Sequence, residues 1–84
     1  MPPVQESFMK LTSLRRGAHA RIAHINATDA LARKLLEMGI EEGMELTLLH
    51  EGPIRRDPLA IRLNDRVIAL RRRDAEVIQV EAIA

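Results

Sequence analysis

The stretch Leu59-Ala60-Ile61-Arg62-Leu63-Asn64-Asp65-Arg66-Val67-Ile68-Ala69-Leu70 decides the fold. Leu59, Ile61 and Leu63 alternate with Ala60, Arg62 and Asn64, the period-two pattern of a strand with one buried face. Asn64 and Asp65 both tolerate a left-handed φ, so the pair suits a two-residue hairpin turn. A turn there sets Leu63 against Arg66, Ile61 against Ile68 and Leu59 against Leu70. Ile68 and Leu70 then share the inner face with Leu59 and Ile61. A slip of one residue would turn that apolar set toward water. The stretch therefore specifies antiparallel β structure with one aliphatic face.

On the C-terminal side, Arg71 to Glu76 forms a charged connector with room for one helical turn. Val77-Ile78-Gln79-Val80 follows as the last strand. On the N-terminal side, Gly52-Pro53-Ile54-Arg55-Arg56-Asp57-Pro58 reads as a loop, because two prolines and a glycine interrupt a ladder. Before it, Met44, Leu46 and Leu48 alternate with Glu45, Thr47 and Leu49. That strand leaves Leu49 on the wet face, an unusual place for a leucine. Glu41-Glu42-Gly43 is a tight turn in which Gly43 takes positive φ.

The helix runs from Asp29 to Met38. Leu31, Leu35 and Met38 fall at i, i+4 and i+7 and make one apolar stripe. Thr28 or Asp29 is placed to accept from the free N–H groups of the first turn. Gly39 stands where a left-handed cap needs a residue without Cβ, and Ile40 where such a cap returns a hydrophobic contact to Leu35. From Ala18 to Asn26 near-alternation predicts a strand, and the three-residue spacing of Ile22 and Ile25 predicts a bulge or an early exit. Leu11-Thr12-Ser13-Leu14 makes a single helical turn that Gly17 ends. Residues 1–10 read as a flexible lead-in and residues 11–84 as one domain. The sum is about five short antiparallel strands with one inserted helix, which close most economically as a small β-barrel.

Composition narrows the function. The chain has 84 residues, 46% of them hydrophobic, with eleven Leu, eight Ile and four Val but a single aromatic, Phe8, and no cysteine. Thiolate metal sites and disulfides are thereby excluded. The net charge is +1 from thirteen basic and twelve acidic residues. Nucleic-acid modules carry a basic excess and stacking aromatics, so nucleic acid is not an expected partner. No apolar run reaches the length of a membrane span, and the N-terminus lacks the character of a secretory signal. A cytoplasmic domain with no direct membrane insertion is expected.

No catalytic set emerges. Ser7 and Ser13 lack a nucleophile-elbow context, and the four glycines at 17, 39, 43 and 52 form no phosphate loop. The expectation is a non-enzyme. His19, His24 and His50 are the only imidazoles. His19 and His24, five apart on a strand, face opposite ways unless a bulge intervenes. They are weak metal candidates, and weak or no direct metal binding is expected. Arg71-Arg72-Arg73 is a solvated connector or a site for an acidic partner surface. Leu35 and Leu36 lie about 100° apart on the helix, so both cannot point squarely into one core. Together with Leu49 and Ile54 they form a candidate docking surface.

The order and spacing of several pieces resemble the ferrous iron transport protein A (FeoA) family. These are Leu11-x-x-Leu14-x-x-Gly17, the run Arg33-Lys34-Leu35-Leu36-Glu37-Met38-Gly39-Ile40 with Gly43, and Pro53 with Asp57-Pro58-Leu59. Ile68-Ala69-Leu70-Arg71-Arg72 with Ala75, Ile78 and Val80 completes the match, which covers about residues 11 to 80. Glu42 departs from it, standing where the family commonly has Pro. The resemblance implies an SH3-like β-barrel with an added helix, acting as an accessory to the GTP-binding membrane transporter FeoB in bacterial ferrous iron uptake. It places the chain in the cytoplasm, recruited to the inner membrane through that partner, and leaves self-association open. The barrel also resembles the C-terminal domain of iron-dependent repressors, which makes a metal-sensing regulatory domain the alternative. A polyproline-reading groove is not expected, because the aromatics that build one are missing. On this basis Leu35, Leu36, Leu49, Ile54, Arg71, Arg72 and Arg73 are the expected partner-binding residues. Gly17, Gly39, Gly43, Asn64 and Asp65 are the expected turn residues.

Overall fold

Residues 59–70 form their hairpin in the register that their alternation dictates, with Leu59 opposite Leu70, Ile61 opposite Ile68 and Leu63 opposite Arg66. Asn64 takes the left-handed conformation at φ 57°. Asp65, its expected companion there, does not. Around this hairpin the computed structural model describes residues 8–83. The elements run β1 (Phe8–Lys10), a 3-10 turn (Leu11–Ser13), β2 (His19–Ile25), α1 (Asp29–Glu37) and β3 (Glu45–Ile54). They continue through β4 (Asp57–Leu63), β5 (Arg66–Leu70), α2 (Arg72–Ala75) and β6 (Ile78–Ala82). The strands make one antiparallel sheet in the order β1-β6-β2-β3-β4-β5.

The sheet curls around a single aliphatic core. Leu11, Ile22, Leu48, Leu59, Ile61, Leu63, Ile78 and Val80 are all fully buried within it. The edges β1 and β5 do not pair, so the expected barrel is an open, wrapped sheet with six strands rather than about five. The additional strand is β1. Residues 8–10, placed by the sequence in the lead-in, pair with β6, Phe8 opposite Glu81 and Lys10 opposite Gln79. The rest of the expected lead-in, residues 1–7, lies outside the described residues.

Two irregularities adjust which side chains face the core. In β2 the register against β6 shifts between Ile22 and His24, so of the bulge or early exit that the spacing of Ile22 and Ile25 allows, the chain takes the bulge. The extra residue restores Ile25 to the inner side and leaves His24 exposed alongside His19 and Arg21. In β3 a shift between Leu48 and His50 leaves Leu49 at a second bulge, half-buried, which accounts for a leucine at an outward position.

Helix α1 ends as its sequence specifies. Gly39 has φ 82°, its N–H donates to the Leu36 carbonyl at 2.9 Å, and the Ile40 N–H donates to the Leu35 carbonyl at 3.0 Å. Those two bonds are a Schellman cap, and Leu35 and Ile40 are both buried beneath it. The helix start differs from expectation. The Thr28 side chain makes no capping bond, because the chain enters the helix through a left-handed Asp29 at φ 48°. Gly17 and Gly43 have φ of 86° and 92°, as their turns require.

The expected loop over 52–58 is corrected. Strand β3 continues through Gly52 and Pro53 to Ile54, which pairs with Asp57, and a register shift between Glu51 and Ile54 absorbs the proline. The turn is only Arg55-Arg56, both left-handed at φ 55° and 59°. Gly52 permits this, since a Cβ there would collide with the Asp57 carbonyl oxygen.

Candidate interaction surface

The three consecutive arginines separate once the connector folds. Helix α2 places Arg72 inward, with its side chain only 25% exposed. Its guanidinium donates to the Arg56 carbonyl at 3.1 Å, to the Thr12 carbonyl at 3.2 Å and to Glu51 Oε2 at 3.0 Å. Its backbone N–H donates to Asp57 Oδ1 at 2.9 Å. Arg72 thus ties the β3–β4 turn and the 3-10 turn to α2 and acts as an internal brace, its guanidinium already engaged within the fold. Arg71 and Arg73 remain exposed. Asp74, buried beside them, accepts from Lys34 Nζ at 2.7 Å and so links α1 to α2. Charge-assisted bonds of this kind, partly shielded from water, are the stronger class of polar contact.

Leucines 35 and 36 also divide. Leu35 is 1% exposed and belongs to the core, whereas Leu36 is 61% exposed. The structure therefore removes Leu35 from the expected surface. Leu36 borders a groove of about 420 Å³ between α1 and the end of β2, with Ile25, Ala32 and Ile40 in its lining and Glu41 and Glu42 on its rim. Glu42 Oε2 accepts the Ile25 N–H at 3.0 Å, which fixes that carboxylate at the lip.

At the far end of β3, Ile54 is 74% exposed at the hairpin tip, beside exposed Arg55 and Arg56. Sequence patterning missed two further exposed apolar positions, Phe8 and Val67, because each falls at an edge strand where alternation does not say what covers it.

The histidines do not gather. His19 Nδ1 lies 2.7 Å from Thr47 Oγ1, His24 meets the Phe8 ring edge-on at 5.5 Å, and His50 is exposed on β3. Among the described residues no three His, Cys, Asp or Glu side chains are placed to share a metal ion. Every buried side-chain polar atom among them has a partner. What the surface offers is recognition chemistry: an acid-rimmed apolar groove and an arginine-flanked apolar tip.

A small antiparallel sheet wrapped on an aliphatic core, with one helix packed against it and this surface, defines a domain of the SH3-like class. The chain belongs to the FeoA domain family, whose model matches residues 9–82. It is 36% identical over 76 residues to an Fe(2+) transport protein A/Fe(2+) transporter FeoB fusion protein of Porphyromonas gingivalis, covering 90% of this chain and 9% of the fusion. The solution structure of iron(II) transport protein A from Clostridium thermocellum superposes with a TM-score of 0.84 at 36% identity, over 89% of this chain and 46% of that one. The FeoA of Stenotrophomonas maltophilia, a prokaryotic SH3-domain protein complexed with zinc, matches with a TM-score of 0.68 at 30% identity, over 87% and 89% of the two chains.

The chain therefore spans a small part of the fusion protein and under half of the C. thermocellum protein. T. acidophilum IdeR shares the fold, with a TM-score of 0.80 at 24% identity over 99% of this chain and 37% of that one. That likeness is one of fold alone. The family is one of ferrous iron transport, as the names of these relatives state.

Proposed function

We propose that this chain is an accessory interaction module of ferrous iron uptake that docks on FeoB, the GTP-binding membrane transporter, from the cytoplasmic side. The observation that carries it is the relative in which an FeoA-like segment is joined to FeoB in one polypeptide. Such a link converts docking into an intramolecular event at high effective concentration, which is of use only if the two parts meet. No described helix is long and apolar enough to cross a membrane, and in this reading the inner membrane is reached through the partner. The docking residues are Leu36, Leu49, Ile54, Arg71 and Arg73. Ferrous iron is the transporter's cargo in this reading.

Affinity capture with the tagged chain from gently solubilised membranes tests this. FeoB is expected in the eluate, and Leu36→Asp or Ile54→Asp should lower its recovery about tenfold, the usual scale for losing a central aliphatic anchor. A catch without FeoB would overturn the assignment.

The alternative, a metal-sensing regulatory domain, draws support from the fold shared with IdeR and from the zinc complex of the S. maltophilia relative. Anaerobic calorimetry separates the two. Saturable ferrous binding to the isolated chain favours a sensor, and the absence of saturable heat ends that alternative.

A further inference from the structure

The tip and the groove are complementary to each other, and they stand at opposite ends of one strand. The tip is preformed, because Arg72 holds the Arg56 carbonyl and the bulge at Gly52 sets its angle. It presents Ile54, 74% exposed, between Pro53 and two arginines. Arg55 has no acidic partner among the described residues. Arg56 lies only 3.7 Å from Glu51, a carboxylate that Arg72 already engages at 3.0 Å.

The groove offers the matching chemistry: an aliphatic wall at Leu36 and Ile25, and carboxylates at Glu41 and Glu42. Glu41 makes no ion pair among the described residues, and Glu42 is held at the lip by the Ile25 N–H. Strand β3 starts at Glu45, just past the groove, and ends at Ile54. At about 3.3 Å per residue the two features are separated by up to roughly 30 Å. A molecule cannot reach its own groove.

We propose that the Ile54–Arg56 tip of one copy seats in the Leu36–Glu42 groove of a second copy, head to tail. Ile54 covers the apolar wall beside Leu36, while Arg55 and Arg56 face Glu41 and Glu42. Each copy in such a pair keeps one unfilled tip or groove, so the contact is heterologous and extends into chains or closes into rings. This goes beyond docking on FeoB, and it is tested without the transporter.

Sedimentation velocity on the purified chain provides the test. The average mass should rise between about 10 µM and about 1 mM, the range a contact this small reaches, and fall back on adding salt. Ile54→Asp and Leu36→Asp should each remain monomeric with native circular dichroism, since both side chains are exposed. Mixed one to one, they should form a dimer and nothing larger, because one variant keeps the groove and the other the tip. If Ile54→Asp melts, Arg55→Glu with Arg56→Glu serves as the tip-defective partner. A mass that stays constant to about 1 mM overturns the proposal. So does association that survives either single variant, which would place the interface elsewhere, or a mixture of the two monomeric variants that fails to pair, which would mean a symmetric interface using both residues.

Discussion

The two consecutive hairpin turns of this domain are built by opposite means. Between β4 and β5 the turn is local: Asn64 accepts a left-handed φ readily, and the chain on either side falls into register. Between β3 and β4 two arginines occupy left-handed conformations that such side chains seldom adopt. That turn is imposed from outside. Arg72 grips its carbonyl, Asp57 receives the Arg72 N–H, and Gly52 gives way to the returning strand. One turn is therefore encoded in its own residues, and the other in residues sixteen positions away and in the fold that brings them back.

Substitutions can break this contrast in order of size. Gly52→Ala should have the largest effect, a loss of about 3 kcal/mol, because the new Cβ meets backbone that cannot move aside. Urea denaturation measures it. Arg72→Ala should lose about 2 kcal/mol as its partly buried acceptors go unpaired. Amide exchange should then quicken around residues 54–57 and stay slow at 64–66, whereas equal acceleration at both turns would show that Arg72 supports the whole sheet. Asn64→Ala should lose about 1 kcal/mol by placing an ordinary side chain at a left-handed position, with no change in exchange at the other turn. The smallest change is a gain. Arg55→Asn with Arg56→Gly installs a self-sufficient turn and should stabilise by about 0.5 kcal/mol, since the exposed Arg56 adds little to a Glu51 that Arg72 already holds. The same double change should abolish head-to-tail association, setting stability against recognition at one site.

Legibility in the sequence follows the same division. The β4–β5 register, the Schellman end of α1 and the β2 bulge were readable, because each rests on residues within a few positions of one another. The passage of β3 through Gly52-Pro53 was not. Local chemistry there argues for a loop, and only the pairing of Ile54 with Asp57 decides otherwise. The candidate surface shows a similar pattern. Geometry alone said that Leu35 and Leu36 must diverge, and the phase of α1 on the sheet chose Leu35 for the core. Nothing in the run Arg71-Arg72-Arg73 marks its middle member as the brace. That role comes from the direction α2 takes after β5 and from the acceptors waiting beneath it. Strand β1 escaped notice because three residues carry too little alternation to register.

The pairing of β1 with β6 has a mechanical consequence. Phe8 lies opposite Glu81, roughly 5 Å away, so the two ends of the described chain come close together at one end of the sheet. Pulling them apart would load the bonds between β1 and β6 one after another, as in opening a zipper, rather than all at once in shear. The first strand would detach under small force while β2 to β5 kept their pairing. Equally, a short peptide bridging the ends would close the backbone into a loop, and the chain could be reopened at Asn64-Asp65 with its strand order intact. A domain attached to a neighbour at this corner hangs from a single point, with the opposite strands free to turn toward whatever they meet.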